Sequence, residues 1–195
     1  MKKVISWVVV LGVLAIVVLW VMNAYNSFVA AEEDVESSWA QVENQYQRRA
    51  DLVPNLVATV KGYAAHEREA LERVVEARSH ATQMVVDPSN ITPQQLMAYQ
   101  SAQGELTQAL GRLLALAERY PDLKANQNFL ELQTQLEGTE NRIAVARQNF
   151  NDVARTYNTK IRRFPNNIIA RICNFEKRPY FESEQGASKA PKVEF

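Results

Sequence analysis

Between Val4 and Met22 the chain runs for nineteen residues without a charge, and few folds can absorb such a run. At about 1.5 Å rise per residue it makes a helix of roughly 28 Å, close to the ~30 Å hydrocarbon thickness of a bilayer. Val, Ile, Leu, Trp and Met occupy every face of it, whereas a helix in the core of a soluble protein usually keeps one face polar. A secretory signal has an apolar stretch of about 7 to 15 residues followed closely by small residues for cleavage; the one candidate here, Val29-Ala30-Ala31, lies well past the end of the run. A lipoprotein needs a cysteine near the N-terminus, and the single cysteine is Cys173. Residues 1–25 therefore read as an uncleaved membrane anchor. Lys2 and Lys3 precede the run, and Glu32, Glu33, Asp34 and Glu36 are the first charges beyond it. That asymmetry predicts a cytoplasmic N-terminus and a body on the periplasmic or extracellular side of an inner membrane.

The body carries 20 basic and 22 acidic residues from position 32 onward, a net charge of −2 with histidines neutral. No long basic run offers a footprint for nucleic acid. One cysteine excludes an intramolecular disulfide, so the fold must hold by packing. The apolar spacing is helical, and no strand-like alternation competes with it. Val35, Trp39, Val42, Tyr46, Ala50, Val53, Val57, Val60, Ala64, Glu67, Leu71, Val74 and Arg78 recur three and four apart, a seam of period near 3.5. Pro54 removes a backbone donor inside this segment, yet the seam keeps its phase across it, which predicts a kinked continuous helix.

Asp87 to Pro93 reads as a loop ending in an N-cap, Thr92, with proline at the first helical position. A second seam follows at Leu96, Tyr99, Gln103, Leu106, Leu110, Leu113, Ala117 and Tyr120. Gly104 and Gly111 lie beside it, where each costs up to ~1 kcal/mol against alanine, and so predict a close helix approach. Asp122 is placed to cap the next helix, whose seam runs through Phe129, Leu132, Leu136, Thr139, Ile143, Ala146, Phe150, Val153, Tyr157, Ile161 and Phe164 and stops at Pro165. Residues 124–164 would make a helix of roughly 60 Å. Asn166 to Cys173 adds a short helical turn, and residues 176–195, with Pro179, Gly186 and Pro191, read as an extended tail.

Helix lengths imply more. A second helix near 27 residues would descend only to the level of Pro54, leaving residues 23–53 as a stalk that exposes Val35, Trp39, Val42 and Tyr46. Either the chain folds back at Pro54, or the stalk pairs with copies of itself.

Several strings together resemble the LemA family. They are Arg48-Arg49-Ala50-Asp51-Leu52-Val53-Pro54-Asn55-Leu56-Val57, Lys61-Gly62-Tyr63-Ala64-Ala65-His66-Glu67, Glu76-Ala77-Arg78, Tyr120-Pro121-Asp122-Leu123-Lys124-Ala125-Asn126 and Leu132 to Ala144. Ala146-Arg147, Asn149-Phe150-Asn151, Tyr157-Asn158, Phe164-Pro165 and the Pro-Lys-Val-Glu-Phe terminus extend the resemblance over nearly the whole chain. It implies a bacterial protein with one N-terminal span and an antiparallel up-and-down four-helix bundle, here residues 26–175, in an all-α fold. It also implies no established enzymatic activity, and genes often near zinc-dependent membrane proteases. One departure is Asn174-Phe175, where the family tends to have glycine before the phenylalanine; asparagine also tolerates the left-handed conformation.

Candidate chemistry is sparse. His66-Glu67-Arg68-Glu69 begins like a zinc-protease helix, but position 70 is Ala70 and the second histidine is missing. Glu76 and His80 are four apart, whereas the di-iron bundle motif needs three and a second copy. No metal or cofactor site is expected. Glu67 and Arg78 on the first seam, and Glu140 and Arg147 beside the third, could meet as buried pairs that fix register; the alternative is an acid–base pair. Seam aromatics such as Tyr46, Tyr99 and Tyr157 are core, and Arg48 and Arg49 are a solvated face. No nucleophile elbow or phosphate loop is present, and no catalytic residue is assigned. The reading is a membrane-anchored, self-associating helical scaffold of the bacterial envelope, with the bilayer as one partner. The alternative is an adaptor or regulator of a membrane protease, docking through the bundle or the Pro191 to Phe195 tail; an enzyme or ligand sensor using a bundle cleft ranks below both.

Overall fold

One helix, α1 (Lys2–Tyr63), carries the chain from the apolar run into the body without a break. At ~1.5 Å per residue its length is roughly 93 Å. The computed structural model describes residues 2–182, with side chains from Ile5 onward. Ile5 to Met22 are exposed on every side, and the most apolar 18-residue window there has mean hydropathy 2.8 with none of it buried. Such a surface belongs in a bilayer. Burial begins at Ala24 and Phe28 and then follows the seam.

After Tyr63 the chain reverses through a short turn and returns as α2 (Arg68–Gln83), crosses a loop with a 3-10 turn at Pro88–Asn90, and rises again as α3 (Pro93–Leu116). A turn of 3-10 helix and the single-turn α4 (Pro121–Lys124) lead into α5 (Gln127–Arg162), which descends to α6 (Asn166–Ile172). Among the described residues there is no strand. Side-chain contacts fix the directions. Tyr63 meets Asn126, Arg49 meets Glu140, Gln41 meets Asn149 and the Ser27 carbonyl meets Lys160, so α1 and α5 run antiparallel in one register from end to end. Glu67 meets Arg119 and Ala81 meets Gln103, which sets α3 antiparallel to α2. The result is an antiparallel up-and-down four-helix bundle, with only α1 prolonged beyond it.

Four local expectations give way. The first helix does not continue to Arg78, because residues 64–67 turn and the later seam positions belong to α2. The fold-back lies there and not at Pro54. Asp122 caps nothing; Asn126 accepts from Phe129 N at 3.0 Å and starts α5, which is shorter than the 124–164 helix expected. Gly104 and Gly111 mark no close approach, since a Cβ at either would meet nothing within 4 Å. Thr92, by contrast, caps α3 in a reciprocal box with Gln95, and Pro93 takes the first position.

Pro54 sits inside α1 and leaves the Ala50 carbonyl without its helical donor. Arg78 of α2 supplies the replacement, donating from Nε to that carbonyl at 2.8 Å. Arg78 is thus no partner of an acid. Replacing it (Arg78→Met) is expected to cost about 1–2 kcal/mol, because a partly buried acceptor loses its donor. In a Pro54→Ala background, where the backbone donor returns, most of that cost should vanish; equal costs in both backgrounds, by chemical denaturation of the full chain in mild detergent, would refute the link.

No exposed stalk exists. Val35, Trp39, Val42 and Tyr46 are all buried, covered by the lower half of α5 and by a strap of extended chain after α6. At the end of α6, Phe175 N donates to Ala170 O at 2.9 Å while Asn174 adopts φ 58, the left-handed reversal that closes a helix. The strap then climbs beside α1 and α5. Asn158 donates to Arg178 O at 2.8 Å and accepts from Arg178 N at 2.9 Å; Asn151 does the same with Phe181 at 2.9 and 2.8 Å. Seven residues of helix advance ~10.5 Å and three residues of extended chain advance ~10 Å, so the two clasps fall in register. Phe181 stacks on Trp39 at 5.8 Å between ring centroids, nearly parallel at 7°. The Pro191 to Phe195 terminus lies outside the described residues.

Candidate functional site

The most concentrated polar chemistry of the interior surrounds Arg49, which the sequence reading placed on a solvated face. It is 1% exposed. A strict alternation of fours and threes from Val35 runs Trp39, Val42, Tyr46, Arg49, Val53, Leu56, Val60, so the seam itself delivers Arg49 to the core; Ala50 beside it is buried as well. Arg48 remains exposed.

Arg49 Nη1 donates to Thr107 Oγ1 at 2.6 Å and to Glu140 Oε1 at 2.7 Å. Nη2 donates to the Gln103 side chain at 2.8 Å and to its backbone carbonyl at 3.1 Å. The guanidinium also lies 5.2 Å from the Tyr46 ring centroid. Gln103 in turn donates to the Ala81 carbonyl at 3.3 Å. One arginine therefore ties α1 to α3 and α5 directly and to α2 through Gln103. The apolar core divides at this layer: one cluster runs from Ala24 to Tyr46 and the lower half of α5, the other from Val53 to Ala81 and the upper half.

The layer opens on a cleft of about 470 Å³, lined by Gln103, Gly104, Thr107, Glu140, Arg147 and Glu182 among others. Thr107 is exposed, and Glu140 is half-buried, its side chain 40% accessible. Arg147 does not pair with it; it donates to the Glu182 carbonyl at 2.9 Å and lies over the Phe181 ring at 5.0 Å, holding the strap. Chemically the arrangement is a charge pair inside a hydrogen-bond network: the two terminal nitrogens of the guanidinium face four acceptors while the buried Nε has no hydrogen-bond partner, and a network of this kind pins helix register.

Other sequence candidates are dispersed. Glu67 accepts from Arg119 at 3.1 Å and from the Tyr120 hydroxyl at 3.0 Å, tying the α1–α2 turn to the end of α3; the bond to Glu67 raises the Tyr120 pKa. Glu67 and Arg78 do not meet. His80 Nδ1 lies 3.0 Å from Glu105 Oε2, both about half exposed, and Glu76 lines the same groove between α2 and α3. His66 is exposed in the turn. Among the described residues no three His, Cys, Asp or Glu side chains converge to hold a metal. A second buried cation, Arg178, bonds Glu32 at 2.5 Å and lies over the Tyr157 ring at 5.8 Å; burial pushes the Tyr157 hydroxyl up to about 12.

A single apolar helix that runs on into an all-helical bundle, locked internally by an arginine layer and externally by a C-terminal strap, defines a membrane-anchored helical-bundle protein. Residues 38–195 match the LemA family, and the chain belongs to that family. It is 31% identical over 201 residues to the magnetosome protein MamQ 2 of Paramagnetospirillum magneticum, covering 94% of this chain and 73% of that protein. MamQ of Magnetospirillum gryphiswaldense is 30% identical over the same shares. The protein LemA of Metamycoplasma hominis is 23% identical over 160 residues, 82% of this chain and 69% of its own.

Proposed function

We propose that this protein is a non-enzymatic scaffold of the bacterial envelope, whose bundle presents its outer faces to other proteins at a set height above the inner membrane. The observation that supports this is α1: one unbroken helix is both the anchor and a core element of the bundle, so no hinge separates membrane from body. The Arg49, Gln103, Thr107 and Glu140 side chains are engaged with one another, which suits a rigid platform better than turnover. Lys2 and Lys3 favour a cytoplasmic N-terminus and an external bundle. Self-association belongs to this reading in altered form. Val35, Trp39 and Val42 are covered, so copies would meet through the span or the outer grooves.

The test is purification of the full chain in mild detergent alongside chemical crosslinking in membranes. A partner or a ladder of copies at fixed stoichiometry is expected; monomers alone at high crosslinker dose, with nothing co-purifying, would sink the scaffold. Glu67→Gln and Glu140→Gln should both complement a deletion strain, and failure at unchanged protein level would point instead to acid–base work. A membrane protease that co-purifies with the full chain, and is lost when residues 186–195 are deleted, would favour the adaptor reading.

A further inference from the structure

The lower end of the bundle carries an apolar face with no described partner. Phe164, Ile168 and Ile172 are four apart and 81%, 51% and 76% exposed; at that spacing the two isoleucines share a face of α6, and Phe164 stands just before it. The other side of α6 is already used, since Ile169 and Ala170 pack into the core with Ala24, Phe28 and Ile161. Folding alone gives no reason for a seven-residue helix to be apolar on both sides.

Its height above the span supplies the reason. Phe175, three residues past α6, packs on Tyr25 and Phe28 at 5.6 and 5.3 Å between ring centroids, and Lys160 at the end of α5 donates to the Ser27 carbonyl at 3.2 Å. This end of the bundle therefore sits level with residues 24–28, which begin two residues beyond Met22. Two to six residues of helix advance ~3–9 Å, and the headgroup zone on each side of the ~30 Å hydrocarbon layer is about 5–7 Å deep. Charge agrees with that depth. Residues 160–177 hold five basic side chains and one acidic, in a body of net charge −2. Arg162, Arg163 and Arg171 are exposed and form no ion pair with any described residue. Trp20 and Tyr25 at the end of the span are aromatics of the kind that settle at this boundary.

We propose that the membrane-proximal end of the bundle is a lipid-binding surface: Phe164, Ile168 and Ile172 enter the interface of the bilayer while Arg162, Arg163 and Arg171 meet anionic headgroups. The proposal rests on the span being inserted, and adds a second attachment of the body itself, with basic residues flanking an apolar face as interfacial helices have.

Cys173, the only cysteine and exposed, adjoins Ile172 and takes a nitroxide label in the full chain. The labelled protein is reconstituted into vesicles of phosphatidylcholine with and without phosphatidylglycerol, and label depth is read from its accessibility to oxygen and to a water-soluble nickel chelate. High oxygen and low nickel accessibility is expected with the anionic lipid. Each arginine changed to glutamine should weaken headgroup attachment about fivefold, so that the triple variant, or Ile168→Gln with Ile172→Gln, returns the label to water. These side chains are exposed, so the bundle should stay folded, which circular dichroism checks. A label open to nickel in both vesicle types, with the chain co-floating with lipid, overturns this proposal alone. Shielding from both reagents marks a protein contact and also overturns it. A chain that does not co-float overturns the anchoring and this proposal together.

Discussion

Arg49→Ala lowers the stability of the full chain by about 3 kcal/mol, measured by chemical denaturation in mild detergent and followed by circular dichroism. The substitution removes four hydrogen bonds from an ionised donor and leaves the buried Gln103 side-chain oxygen short of a partner, which costs about 1–3 kcal/mol. Breaking a buried ion pair commonly costs 3–5 kcal/mol; the lower end applies because Glu140 is 40% accessible and keeps water. Arg49→Met combined with Glu140→Leu should recover most of the loss, since two apolar groups of similar volume avoid the unpaired charge. If stability is indeed recovered, the layer serves register, and its signature is then a broader distribution of crosslinks between α1 and α5 in the double variant. A loss below about 1 kcal/mol for Arg49→Ala would refute the role assigned to it.

The strap gives the second large effect. Asn158→Ala removes the donor and acceptor that hold both backbone groups of Arg178, together with the bond to the Tyr180 hydroxyl at 2.9 Å. Stranding two buried backbone groups costs about 3 kcal/mol, which speeds amide exchange at Arg178 and Phe181 by roughly a hundredfold if the strap opens as one unit. Asn151→Ala should release Phe181 more than Arg178. Unchanged exchange at both amides in the double variant would show that Phe181 stacking on Trp39, and not the clasps, holds the strap.

Much of this fold was legible in the chain. The anchor, the three seams, the Thr92 cap and the helical turn after Pro165 all follow from local periodicity and capping, which need no knowledge of distant residues. Asn174 also behaves as its short polar side chain allows, replacing glycine at a left-handed position. What failed was non-local. The turn at residues 64–67 has neither proline nor glycine, and the nearest glycine, Gly62, lies inside α1, so an unbroken seam conceals a reversal whose two arms happen to share a phase. The helix does continue across Pro54, as the unbroken phase of the seam predicts, but the reason is non-local too: Arg78 from another helix satisfies the freed carbonyl. Arg49 is hidden because Ala50 fits the seam equally well, with two consecutive fours; only a strict alternation places the charge of Arg49 in the core and raises the question of its partners. The clasping pair Asn151 and Asn158 carried a usable sign, two amides seven apart beside the seam, but nothing local says what an asparagine ladder will hold.

The unbroken passage of α1 from span to core has a geometric consequence. A helix turns by about 100° per residue, so a single residue inserted at Asn23 would swing the entire body by about 100° around the membrane normal and raise it about 1.5 Å. The azimuth of every face of the bundle relative to the faces of the span is thus set by a residue count, so that a neighbour gripping one face of the span always meets the same side of the body.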